Sequence, residues 1–137
     1  MQYWLLKTEP DVFSWDDQVE KKVESWNGVR NFQANNNMKA MKKGDRAFFY
    51  HTGDEKQIVG IVEIVKEHYP DPTDETGKFG MVDVKAVEPV PRPVTLAQIK
   101  ESGRFKDFQL VTHSRLSVVP VSEQHWRALC AMGGVTP

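Results

Sequence analysis

The chain has 137 residues, an ordinary length for one domain and enough to bury a core without disulfide or metal staples. Hydrophobic residues make up 39% and charged residues 27%, a balance that excludes a disordered chain. The formal net charge is −1, which excludes a protein held on duplex nucleic acid mainly by its phosphates; any such binding must rest on a local pocket or patch.

Tyr3-Trp4-Leu5-Leu6 predicts a buried strand running to about Lys7 and ended by Pro10. Ser14 caps a helix with Asp16 and Asp17 in its first turn, and Trp15, Val19 and Val23 give it one apolar stripe. Asn27-Gly28 marks a turn. Asn31 caps a second helix with Ala34, Met38 and Met41 on one face. Its Asn35-Asn36-Asn37 run has poor helix propensity, so tertiary contacts or a function must hold it until Gly44 stops it.

Arg46 to His51 is a strand too apolar for an exposed edge. Ile58 to Lys66 is a central strand, in which Gly60 signals a bulge or a close backbone approach. A polar loop follows, from Tyr69 to Gly80. Met81 to Glu88 alternates as a half-exposed strand, and Pro89, Pro91 and Pro93 form a stiff extended link. Thr95-x-x-Gln98 opens a short helix that ends at Gly103. Arg115 to Val119 is a last strand stopped by Pro120, and Ser122 caps a C-terminal helix to about Met132 with Trp126 and Leu129 inward. Short turns between central strands predict antiparallel pairing. The class is α+β: a small mixed or antiparallel β-barrel, or a strongly bent sheet, flanked by short helices.

Cys130 is the one cysteine, so a disulfide framework and a thiolate zinc site within one chain are excluded. Its apolar surroundings read as a buried, inert thiol. No signal-like or membrane-length apolar run is present, and the default is a cytoplasmic protein. His51, His68, His113 and His125 make no i, i+4 metal pair. There is no Gly-rich phosphate loop and no Gly-x-Ser-x-Gly elbow. No metal, no cofactor and no catalytic set is expected.

What remains is a group of residues at element ends: Lys7-Thr8-Glu9, Trp26 with Arg30-Asn31, and Tyr50-His51-Thr52. If the first strand and the Arg46–His51 strand share a sheet, their ends can face one cavity with an aromatic wall. Such a cavity suits a flat heterocycle, which stacks on rings while amides and charges read its edge. Each residue also has an ordinary structural reading. Trp4, Trp15 and Trp126 read as core; Trp26 reads equally as core or site. Arg30 could pair with Glu9 or Glu24, His51 could be a satisfied core histidine, and Lys39, Lys42, Lys43 and Arg46 could be a solvated face.

The strings Tyr3-Trp4-Leu5-Leu6-Lys7-Thr8-Glu9-Pro10, Trp26-Asn27-Gly28-Val29-Arg30-Asn31-Phe32-Gln33-Ala34 and Phe49-Tyr50-His51 resemble the EVE domain family. So do Tyr69-Pro70-Asp71-Pro72-Thr73 and Ser114-Arg115-Leu116-Ser117-Val118-Val119-Pro120-Val121, and the likeness runs in order over nearly the whole chain. The resemblance implies a PUA-like pseudobarrel, related to YTH and ASCH domains. It also implies a pocket for a modified base, such as a methylated cytosine in DNA or a modified base in RNA. Matched by motif, the ligand-binding candidates are Lys7, Thr8, Glu9, Trp26, Val29, Arg30, Asn31, Tyr50, His51 and Thr52, with Ser114 and Arg115 at the mouth. Lys39, Lys42, Lys43 and Arg46 are the candidate phosphate contacts.

The sequence departs from the family pattern at Asn35, where an arginine is usual, and at Thr52, where serine is usual. Its loop from Asp74 to Gly80 is short and lacks a tryptophan, for which Phe79 is the substitute at hand. The expectation is a non-catalytic monomer that binds a modified base, with no membrane partner. The alternative is an enzyme or sensor acting on a free modified nucleoside or nucleotide, with Glu9 or His51 as its acid–base group.

Overall fold

The computed structural model describes residues 1–137. Its elements are β1 (Tyr3–Thr8), α1 (Trp15–Lys21), β2 (Val23–Ser25), α2 (Phe32–Ala40), β3 (Arg46–His51), β4 (Gln57–Pro70), β5 (Gly80–Thr95), α3 (Leu96–Ser102), α4 (Gln109–Thr112), β6 (Val118–Val121) and α5 (Glu123–Gly133). The strands form one mixed six-stranded sheet in the order β2-β5-β4-β3-β1-β6. Only β1 and β3 pair in parallel, and the crossover that this requires carries α1, β2 and α2. The C-terminal ends of β1 and β3 therefore lie side by side, with Lys7 opposite Tyr50 and Thr8 opposite His51.

The ladder is open, with the short strands β2 and β6 at its two ends. The sheet nevertheless curls. In α2, the Asn35 side-chain Oδ1 accepts from the Gly80 N–H of β5 at 3.0 Å, and the Asn37 side-chain amide donates to the Val118 carbonyl of β6 at 2.8 Å. A flat sheet would hold β5 and β6 about 19 Å apart, four strand spacings. One short helix can bond to both only because the sheet wraps towards it. The Asn-rich run is thus the clasp of a barrel-like fold, and its poor propensity is offset by these tertiary bonds. Register shifts along β4 and β5 supply the bending.

Phe49 of β3 points into an aromatic group with Trp15, Trp26 and Phe13 on one face of the sheet. Phe48 stacks on Trp126 of α5 at 4.0 Å on the other. Gly60 is a close-approach glycine: an added Cβ would lie 2.4 Å from the Trp15 ring, and the β4 register shifts beside it.

Several expectations are corrected. The α1 stripe does not exist, because Lys22 adopts φ +69°, ends the helix and turns the chain into β2. Val19 and Val23 are exposed, and Trp15 and Gln18 face inward instead. The proline link is the second half of β5: Pro89 pairs with Gly60, and Pro91 and Pro93 fall where the register jumps to Ile58–Val94 and are out of the ladder with β4. The last strand begins at Val118 rather than Arg115 and runs through Pro120, which an edge strand allows. β2 and α4 are too short to carry a periodic signal.

Candidate nucleic-acid interface

The site is built where β1 ends and where the chain leaves β2. The Trp26 N–H donates to the Val82 carbonyl of β5 at 2.7 Å, which fixes the backbone beside the tryptophan. Gly28 follows at φ +82°, the left-handed conformation that a side chain resists. Trp26 is only 8% exposed and meets Phe49 and Phe13 edge to face at 5.6 and 6.2 Å. Its outer side walls a cleft of about 380 Å³, within the range of small-ligand sites. Phe13, Val12 and Val29 add apolar lining, and Lys7, Thr8, Glu24, Ser25, Asn27, Arg30 and Ser117 add polar groups.

A second layer holds this lining in place. Asp71 is buried, and its two oxygens accept four hydrogen bonds. Oδ2 accepts from the Gly28 N–H at 2.8 Å and from Arg30 Nη1 at 3.1 Å; Oδ1 accepts from the Thr73 N–H and hydroxyl. Burial works against the charged carboxylate, but the bonds from Thr73, Gly28 and Arg30 outweigh it and hold its pKa at about 2. Arg30 Nη2 also donates to the Thr73 hydroxyl, and Nη1 to the Val29 carbonyl. Two guanidinium N–H groups, on Nε and Nη2, remain without a protein acceptor on a side chain that is 40% exposed. Ser25 and Tyr69 hydroxyls are 3.2 Å apart, and the Tyr69 hydroxyl donates to Asp83. Ser25 is then the donor to Tyr69, which leaves its oxygen free to accept from a ligand.

Of the residues singled out by motif, Lys7, Thr8, Trp26, Val29 and Arg30 meet in this cleft. Lys7 donates to the Ser114 carbonyl at 3.1 Å, and burial lowers its pKa. Asn31, Ser114 and Arg115 line a smaller neighbouring cleft with Gln33 and His113. Asn31 also caps α2, its side-chain Oδ1 accepting from the Ala34 N–H. Tyr50 does not line the Trp26 cleft. It alternates with Phe49 along β3 and shares a sheet face with its register partner Lys7, which meets the cleft only at its rim, from the end of β1. Burial pushes the Tyr50 phenol up to about 12. Thr52 bonds back to the Thr8 carbonyl.

His51 also stays out of the cleft. Its Nε2 accepts from the Trp15 N–H at 3.0 Å, so the proton sits on Nδ1 and donates to Glu55 at 2.8 Å. That bond lowers the Glu55 pKa. Glu9 is exposed, and it is the Glu9 carbonyl that is engaged, accepting from Val12 and Phe13. Neither acid–base candidate of the enzyme reading lines the cleft.

Lys42, Lys43 and Arg46 sit at the opposite, N-terminal end of the β1–β3 pair, where Arg46 is level with Tyr3 and 3.9 Å from Glu63. That end is about 13 Å of strand away from Lys7. Lys39 lies in the last turn of α2 and likewise does not line the cleft. The expected phosphate set does not converge on Trp26. Sequence reasoning missed Val12, Phe13, Glu24, Ser25, Asn27, Gly28 and Ser117 as lining and Asp71 as the anchor. The signal at hand for Asp71 was its place in the family-like Tyr69–Thr73 string; Asn27-Gly28 marked only a turn.

The sequence model of the EVE domain matches residues 2–132. The chain belongs to the EVE domain family. The chicken (Gallus gallus) Thymocyte nuclear protein 1 is 37% identical over 90% of this chain, which spans 65% of that protein's length. A Rhodopseudomonas palustris protein solved by NMR is 54% identical, with a TM-score of 0.92 over 98% of this chain and 94% of that one. The human THYN1 protein, solved in complex with 5-methylcytosine containing DNA, is 33% identical, with a TM-score of 0.93 over the full length of both chains. The EVE domain here is thus the curled PUA-like α+β fold. No helix is long and apolar enough to cross a membrane.

Proposed function

We propose that this EVE domain is a non-catalytic module that binds DNA containing a modified cytosine and takes the unstacked base into the Trp26 cleft. The observation that carries this reading is the cleft itself: one indole wall, and an arginine edge pinned by a buried carboxylate. The human relative's binding of 5-methylcytosine containing DNA supports the choice of ligand. The base stacks on Trp26, and the free N–H groups of Arg30 and the oxygen of Ser25 read its edge. Lys7, and Arg115 in the adjoining cleft, take the flanking phosphates, in place of the lysines at the far end of β3. Every group needed comes from one chain, so a monomer suffices.

Stacking contributes on the order of 1–3 kcal/mol per base. Extruding a paired base costs a few kcal/mol. Unmodified duplex therefore binds weakly, and the modification decides the outcome. The test is fluorescence anisotropy with labelled single- and double-stranded DNA and RNA, carrying methylated or unmodified cytosine. Selective binding of methylated DNA, lost in Trp26→Ala, is the expected result. Equal affinity for every probe, or an unaffected Trp26→Ala protein, overturns the reading. If free 5-methyl-2′-deoxycytidine binds as tightly as the oligonucleotide, the domain is a nucleoside sensor instead.

A further inference from the structure

Phe32 opens α2, separated from the cleft residues Val29 and Arg30 by the cap Asn31, and 61% of it is exposed. A lone exposed hydrophobic residue is unremarkable. This one is not alone. Its ring lies 4.9 Å from that of Phe79, tilted by 32°, and the Arg30 guanidinium carbon sits 5.8 Å from the Phe79 ring centre. Arg30 in turn lines the Trp26 cleft. One arginine thus joins the cleft to a second aromatic surface outside it. If Phe32 served only to staple the start of α2 onto Phe79, burial would be its purpose, yet most of it faces water.

We infer that Phe32, backed by Phe79 and edged by Arg30, is a stacking platform for the nucleobase next in the strand to the one held in the Trp26 cleft. The inference rests on the proposed function and extends it from one base to two. Exposed aromatic rings beside a guanidinium are what a single strand stacks on, because every base has a π-face. Such a platform confers affinity without reading sequence. It also favours a strand whose neighbouring bases are already unstacked.

The test is anisotropy with a short single-stranded DNA carrying one 5-methylcytosine, with competition by free 5-methyl-2′-deoxycytidine alongside. Phe32→Ala weakens the oligonucleotide by roughly fivefold to a hundredfold, the span that one base–aromatic stack contributes. It leaves the nucleoside's affinity unchanged. Phe32→Leu, which keeps apolar surface but no π-face, loses most of the same factor, and Phe32→Trp retains binding. Replacing the flanking nucleotides in turn by abasic ones weakens the wild-type protein at one position, and weakens Phe32→Ala no further there.

A wild-type protein that binds neither probe overturns the functional reading, and this inference with it. Equal oligonucleotide affinity in the wild-type and Phe32→Ala proteins overturns the platform alone. So does a Phe32→Leu protein indistinguishable from wild type.

Discussion

The Gly28 N–H and the Asp71 carboxylate meet at 2.8 Å, joining the turn before α2 to the loop after β4 across 43 residues of chain. Arg30 lands on the same oxygen. The two bonds fix the stretch of backbone between Trp26 and α2, and with it one wall of the cleft.

Asp71→Asn removes the charge and turns an N–H group towards donors. We expect a loss on the order of 2–4 kcal/mol in urea denaturation, and weaker ligand binding through a disordered Arg30. The folded-state pKa, about 2, is depressed from an ordinary 3.8. The carboxylate's contribution is therefore full above about pH 4 and is lost as pH falls towards 2. A wild-type acid titration loses on the order of 2 kcal/mol in that window, and Asp71→Asn lacks this component.

Gly60→Ala places a methyl inside the Trp15 ring, and neither a central strand nor the indole can yield cheaply. Destabilisation of about 3 kcal/mol is expected. Combining it with Trp15→Leu costs less than the sum of the two single changes, since both act on one contact. Additive costs in thermal or urea unfolding contradict this account.

His51→Leu orphans the buried Trp15 N–H at the start of α1 and costs about 1–3 kcal/mol. His51→Gln keeps an acceptor near the Nε2 position and costs less. Binding of methylated DNA is unchanged in both folded proteins. A binding defect in His51→Gln with native stability would return His51 to the site.

Lys7→Met removes one cation at the cleft. Binding weakens alike for methylated and unmodified strands, and the slope of log affinity against log salt falls by about 0.7–0.9. An unchanged slope means that Lys7 meets no phosphate.

The Cys130 thiol is buried, and burial, with Glu88 nearby, raises its pKa to about 11. Native protein near pH 8 resists alkylation by iodoacetamide, and urea-unfolded protein reacts fully. Mass spectrometry separates the two outcomes.

Local signals in the sequence were enough wherever neighbours in the chain settle a structure. The caps at Ser14, Asn31, Thr95 and Ser122 and the Arg46–His51 strand could all be read from nearest-neighbour chemistry. Gly60 was legible too: a glycine in so apolar a strand signals a bulge or a close approach, and the Trp15 ring and the register shift beside it supply both. The end of α1 was not, because the conformation of Lys22 is set by the pairing of β2 with β5.

The sequence by itself determined the class, the family and five of the residues that line the cleft, because strand periodicity, caps and long motif strings are properties of contiguous chain. Only the tertiary structure decided which residues share a cavity. The parallel β1–β3 register sent Lys42, Lys43 and Arg46 to the far end of the sheet, and alternation along β3 turned Tyr50 to the face opposite Phe49. The partner of Arg30 proved to be neither Glu9 nor Glu24 but Asp71, a carboxylate 41 residues away. Such a pairing depends on how the curled sheet brings two loops together, and no local pattern in either loop records it.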